Sequence, residues 1–275
     1  MSSILTNTSA MVALQTLKTI NGDLQKTQNA ISTGKDISSA KDNSAIWAIS
    51  KVMESDVVGF QAVSDSLSLG ESTVAVALAG AEQITNVLNE IKGKVVAATG
   101  ENVDYTKLTA DVTELVNQVT SIIGASQFNG ANLLNAAGAA GLTVLSSLDR
   151  DATGAVTASN ITVASVDFET NLDLSDIDVS SGAAADASIT AIEAHIQTAV
   201  DGAAALGASS KRIADQNNFV GRVTDAMKSG IGTLVDADME AASARLQALQ
   251  TQQQLGVQAL SIANQTPQTI LSLFR

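Results

Sequence analysis

The chain has 275 residues, enough for one or two compact domains, and its apolar residues are largely Ala, Leu, Val and Ile beside one Trp, one Tyr and five Phe. Thin helices joined by small-residue seams suit that supply better than a thick globular core. A formal net charge of −13 without any basic block sets aside nucleic-acid phosphate and anionic lipid as partners, and the absence of cysteine excludes disulfides and thiolate chemistry.

The opening stretch MSSILTNTSAMVALQTLKT has no basic leader and no apolar run of signal-peptide length. No segment approaches the roughly 20 apolar residues of a membrane span, so neither a cleaved signal nor membrane insertion is expected. From Leu14 the positions Leu17, Asn21, Leu24, Gln28 and Ile31 step by three and four and predict a first helix, which Ser32, Thr33 and Gly34 then close. The stretch SSAKDNSAIWAIS at 38–50 leads into a second. Its stripe passes through Ile46, Ile49, Met53, Asp56, Phe60, Val63, Leu67, Gly70, Val74, Ala77, Ala81, Ile84, Leu88, Ile91, Val95 and Ala98. A continuous helix of that span is about 80 Å long, more than a globular domain needs.

The GEN segment at 100–102 ends this rod, and Leu108, Val112, Leu115, Val119 and Ile122 restart the pattern in a shorter helix that folds back. Beyond SQFNGANLLNAAGAAG the period falls to two, as in NITVASVDF at 160–168, and predicts strands or hairpins separated by the turns DRDATG and SGAAAD. The helical stripe returns from Ile189 through Ile192, Ile196, Ala199, Leu206, Ile213, Asn217, Val220, Met227, Ile231 and Leu234. After VDADME it resumes with Leu246, Leu249, Gln253, Gly256, Leu260 and Ala263. The predicted fold is therefore mainly α: a long antiparallel helical rod and coiled-coil terminal helices, with a small β-hairpin insert.

Chemistry-bearing residues are sparse. His195 is the only histidine, which leaves a metal cluster or a nucleophilic triad almost nothing to work with, and it reads as an ordinary solvated or boundary residue. Asp173, Asp176 and Asp178 lack EF-hand spacing and read as a solvent-facing strand edge. Asp236, Asp238 and Glu240 read as a helix boundary rich in caps, and Lys211 and Arg212 beside Asp215 as a structural ion-pair group. GESTVAVALAG lacks the Lys-Ser/Thr ending of a phosphate loop. Trp47 reads as packing between helices, while Asn217 and Gln28, polar residues on apolar stripes, read either as tolerated seam polarity or as register control. No catalytic, cofactor-binding or metal-binding residue is assigned, no cofactor is expected, and the chain is expected not to be an enzyme.

Both ends of the sequence closely resemble bacterial flagellin of the short alphaproteobacterial type. The resemblance rests on SILTNTSAMVALQTL, LQKTQNAISTGKDISSAKDNSAIWAIS and ASQFNGANLL, then LGASSKRIADQNNFV and GIGTLVDADMEAASARLQALQTQQQLGVQALSIANQTPQTILSLFR. It implies a structural subunit that polymerises with many copies of itself into an extracellular flagellar filament for swimming motility, or alternatively a hook-filament junction protein. It implies export through the flagellar type III apparatus with an export chaperone, and contact with hook-filament junction proteins and a filament cap.

The resemblance places an N-terminal inner helix and spoke at 1–44, rod helices at 45–139, a small variable insert at 140–185, a returning rod at 186–235 and a C-terminal inner helix at 236–275. Asp36, Asn218 and the Ile46-Trp47 pair depart from the family's common pattern. Glu90 and Lys94 stand where flagellins sensed by the vertebrate innate flagellin receptor carry Arg and Leu, which implies weak activation of that receptor. The single proline, Pro267, is expected to kink or end the last helix, with TILSLFR beginning a new turn whose Ile270, Leu271, Leu273 and Phe274 await neighbouring copies.

Overall fold

A computed structural model describes residues 7–138 and 140–273, with side chains to residue 265. In chain order it contains α1 (Thr8–Thr33), α2 (Ser44–Ala98), α3 (Tyr105–Ala125), β1 (Gln127–Phe128), β2 (Ala131–Asn132), β3 (Leu142–Arg150), β4 (Val156–Val163), α4 (Phe168–Asn171), α5 (Gly182–Val235) and α6 (Met239–Leu273). The chain divides into two compact units, one reaching to Ser55 and resuming at Ala226, the other Asp56–Asp225.

The second unit holds most of the buried apolar surface. From Val63 onward the α2 stripe is buried at nearly every predicted position: Leu67, Val74, Ala77, Ala81, Ile84, Leu88, Ile91, Val95 and Ala98. α3 returns antiparallel with Val112, Val119 and Ile123 inward, and α5 runs against α2 with Ala185, Ile192, Ala199, Leu206, Ile213 and Val220 inward. Ion pairs from Lys94 to Asp111, at 2.6 Å, and from Lys92 to Glu193 tie α2 to α3 and to α5 at the surface. β3 and β4 form an antiparallel hairpin around the DRDATG turn, where Asp151 Oδ1 accepts from the backbone N–H of Thr153 and Ala155. The hairpin lies on α2, Val144 over Gly70 and Leu148 over Gly59, and Arg150 forks onto Asp56 with Nε 3.1 Å from each carboxylate oxygen.

Two sequence expectations change in this unit. SGAAAD is not a turn but the start of α5: Ser181 accepts the N–H of Ala184 at its hydroxyl and that of Ala185 at its carbonyl, and the alanines that follow are the best helix formers. The aspartates 173–178 are not on a strand edge. Asp173 caps the single 3-10 turn Leu174–Asp176, and Asp178 caps the loop through the N–H of Ser180. α4, capped by Asp167, seats the fully buried Phe168. The β1–β2 hairpin turns on Asn129 and Gly130, whose φ of 48° and 83° are the left-handed pair that an Asn-Gly dipeptide supplies most readily.

In the first unit α1 and α6 pair antiparallel. Gln253 Nε2 donates to Asn21 Oδ1 at 2.7 Å, and Gly256 sits beside Leu17. On α6 the predicted stripe is the inward one: Leu249 is buried, and Leu246, Gln253, Gly256, Leu260 and Ala263 are half-buried. On α1 it holds in part, with Leu17, Asn21, Leu24 and Ile31 half-buried. Ala10, Ala13, Leu17, Ile20, Leu24, Thr27 and Ala30 turn inward, while Leu14 and Gln28 are exposed, so Gln28 has no register role within this pair. Gly256 leaves room for the Leu17 and Ile20 side chains of α1, and Leu14 is left outside. α6 also continues through Pro267 to Leu273. A proline at 267 leaves the carbonyl of Ala263 without its helical donor. Asn7 supplies one: its Nδ2 donates to Ala263 O at 2.7 Å, while its Oδ1 caps α1 at Ala10 N. The side chains of Ile270, Leu271, Leu273 and Phe274 lie outside the described residues.

The segment between α1 and α2 is held by polar contacts. Lys35 bridges Asp236 backbone to backbone, Asp36 N–H donates to Val235 O at 2.8 Å, and Ala237 N–H to Gly34 O at 2.9 Å. Asp42 accepts from the N–H of Ser39 at 2.9 Å and its hydroxyl at 3.0 Å, and these bonds, with weaker ones from Ser38, hold its carboxyl below the usual aspartate range. Hydrogen bonding from Lys51, and then from Lys35, lowers Glu54 likewise.

A carboxyl whose folded pKa is depressed stabilises the fold above its unfolded pKa of about 4, and that contribution is lost as pH falls through the folded value. Asp42→Asn is therefore expected to lower the melting temperature at pH 7 by a margin that shrinks as pH falls below about 4, by thermal melts across that range. A margin that does not change with pH would show that the Asp42 charge does not support the segment.

Candidate assembly surfaces

The first unit has little interior. Among the described residues its buried apolar side chains are Ala30, Ile231, Val235 and Leu249, whereas Met11, Val12, Leu14, Ile49, Val52, Leu234, Met239, Leu255, Val257 and Ile262 are large and exposed. Leu14 is 57% and Leu255 63% exposed, values of surface residues rather than of a loosely covered core. Each helix of the α1–α6 pair thus carries two apolar faces, one spent on its partner and one turned outward. Outward apolar surface of this extent marks a protein contact. The rest of that surface is polar and uncharged to an unusual degree: α6 presents Gln247, Gln250, Thr251, Gln252 and Gln254, side chains that hydrogen-bond to a neighbour without the desolvation cost of an ion.

Elsewhere the candidate residues resolve into structural roles. His195 Nε2 lies 3.0 Å from Asp176 Oδ1 with its side chain 12% exposed, so the histidine fastens the segment after β4 to α5 rather than standing in solvent. Bonds from the hydroxyl and N–H of Ser175, with a smaller contribution from His195, lower the Asp173 carboxyl. No three of His, Asp and Glu converge as a metal site among the described residues. Asp238 caps α6 at the N–H groups of Glu240 and Ala241, as the cap-rich reading requires, and Asp236 pairs its backbone with Lys35. Lys211 reaches Asp215 at 3.6 Å on an exposed face. Trp47 is half-buried in the first turn of α2. Glu90 is exposed, and Lys94 is engaged by Asp111.

The residues that sequence reasoning missed include Met11, Val12, Leu255, Val257 and Ile262, exposed members of the second apolar faces. Their signal is present in MVAL and in LGVQALSI, where apolar residues occupy more of the helical circumference than one stripe needs. Among the described residues no helix is long and apolar enough to cross a membrane, so those faces do not make a membrane span.

The chain is similar over most of its length to bacterial flagellins. The model of the bacterial flagellin N-terminal helical region matches residues 4–139, and that of the bacterial flagellin C-terminal helical region matches residues 189–274. Flagellin FljO of Caulobacter vibrioides is 41% identical over 278 aligned residues, covering 100% of this chain and 99% of its own. A flagellin of Brucella melitensis is 41% identical with 100% of both chains covered. A crystal structure of Bacillus cereus flagellin aligns with a TM-score of 0.48 and 20% identity, over 58% of this chain and 88% of that one. The chain belongs to the bacterial flagellin family.

Proposed function

We propose that this flagellin polymerises with copies of itself into the filament of the bacterial flagellum and serves there as an extracellular structural subunit without catalytic activity. Family membership supports the filament, and the observation that carries self-association is the first unit, whose apolar side chains face outward on both helices of the α1–α6 pair. The proposal extends to passage through the flagellar type III export apparatus with a chaperone, and to contact with the filament cap and with hook-filament junction proteins. No observation favours the alternative in which the chain is itself a junction protein.

With a net charge of −13, copies repel one another in dilute buffer, and salt screens that repulsion over about 10 Å at 0.1 M. Purified chain seeded with short fragments, or brought to high salt, is therefore expected to give long filaments in negative-stain electron microscopy. Protein that stays monomeric in every seeded and high-salt condition would refute the reading.

A further inference from the structure

Two long helices that meet through aliphatic side chains have an ambiguous register. Val63, Leu67 and Val74 on α2, and Ile213 and Val220 on α5, recur every three to seven residues, so a slide of one turn exchanges one aliphatic contact for another of similar size. One level of this seam is polar. Ser64 Oγ donates to Asn217 Oδ1 at 2.7 Å, Asn217 Nδ2 donates to Ser68 Oγ at 3.3 Å, and Ser68 Oγ donates to Ser64 O at 2.9 Å, which closes a ring across the seam. At the same level Gln216 Nε2 donates to the carbonyl of Ser146 at 2.8 Å, and Leu145 N–H donates to Ser66 Oγ at 3.3 Å. Ser146 is the residue that the β3–β4 pairing skips between Leu145 and Ser147, and that irregularity is where β3 meets Gln216.

The ring alone leaves a choice. α2 repeats serine at 64, 68 and 72, and Ser72 Oγ donates to Ser68 O just as Ser68 does to Ser64, so an equivalent station for Asn217 lies one turn, about 6 Å, further along. The tie from Gln216 removes the choice, because β3 is fixed to α2 independently by Leu145 on Ser66 and Arg150 on Asp56.

We infer that Asn217 and Gln216 are positioning residues that set the register of α5 on α2, Asn217 by its serine stations and Gln216 by selecting one of them through β3. The inference rests on the reading of the chain as a polymer subunit, since register decides which side chains of the two helices stand together on the surface a neighbouring copy meets.

The test is made on monomer, so failure to polymerise does not bear on it. Because the chain has no cysteine, Gln61→Cys on α2 and Asp201→Cys on α5 give two exposed spin-label sites, offset along the seam by about 30 Å. The labelled parent is expected to show one narrow distance by pulsed electron paramagnetic resonance. Gln216→Leu is expected to add a second population displaced by about 6 Å. Gln216→Leu with Asn217→Leu is expected to broaden the distribution at unchanged helix content. Asn217→Asp, whose carboxylate accepts from Ser64 Oγ and, once Ser68 turns its hydroxyl away from Ser64 O, from Ser68 Oγ as well, is expected to keep the single distance. A parent-like narrow distance in both leucine variants would overturn the inference, as would a displaced one in Asn217→Asp. Gln216→Leu, half-buried and outside the ring, decides the matter should the double variant not fold.

Discussion

Phe168→Ala is expected to lower the unfolding free energy by about 3–5 kcal/mol, the usual cost of removing a buried ring from a core that cannot close over the void. The ring is fully buried, and the structure around it is rigid for stated reasons. Its backbone N–H is held by Leu134 O at 2.9 Å, and Asp167 caps the short α4 that presents it. On the other side it lies against α5 at Gly202, where an added Cβ would stand 2.7 Å from Phe168 Cζ and would also strike Val166. A glycine is therefore needed at 202 for close approach, and the cavity left by Phe168→Ala has no neighbouring side chain able to swing in from that position. Urea titration followed by helix signal and by fluorescence measures the loss. A change below about 1 kcal/mol would mean that the segment after β4 repacks freely and that the seat on Gly202 does not hold it.

The same residue shows what the sequence conveys and what it withholds. Spacing alone predicts the inward stripes of α2 beyond Val63 and of α6 from Leu246 to Ala263, because each is an apolar set with one partner face. Spacing places α1 only in part, with Leu14 and Gln28 on the wrong side. Met11, Val12, Leu14, Leu17 and Ile20 cover most of the helix circumference, so periodicity cannot say which part meets α6, and the answer comes from Gly256 on the partner. Phe168 sits at the end of an alternating run that reads as strand, yet the strand ends at Val163, and Asp167 starts a helical turn by capping it.

Polar ties across long sequence separations were the least legible. The bond from Asn7 to the Ala263 carbonyl, four residues before Pro267, joins residues that no local pattern relates. Asn217 as a register residue was legible as a polar interruption of a stripe, but its serine partners and the part played by Gln216 required the fold. The surfaces proposed for assembly are diffuse, and a diffuse apolar face differs from a core-facing stripe only once the core is known.

The largest functional effect is expected from Leu14→Asp and Leu255→Asp, each of which should abolish filament growth while leaving the monomer folded. Both side chains are more than half exposed in the single chain, so replacing them removes little buried area and is expected to change its stability by no more than about 0.5 kcal/mol. In a polymer that covers these faces the Leu255→Asp carboxylate loses water without gaining a cation, since its neighbours on the helix are Thr251, Gln252, Gln258 and Ala259, whereas at position 14 Lys18 stands one turn away and offsets part of the cost. A buried, unpaired carboxylate costs several kcal/mol and is protonated rather than tolerated. The cost recurs at every copy, so a filament meets it once per subunit added, and even a few kcal/mol per addition raises the critical concentration by more than a hundredfold. Asn160→Asp, which places the same charge on an exposed position of β4, serves as control and is expected to polymerise as the parent does. Sedimentation of seeded reactions, with circular dichroism of the soluble fraction, reads both halves of the expectation. Parent-like pelleting by both leucine variants would mean that the outward faces of α1 and α6 stay wet in the filament, and the apolar residues there would then have to be covered within the subunit by a rearrangement of the pair.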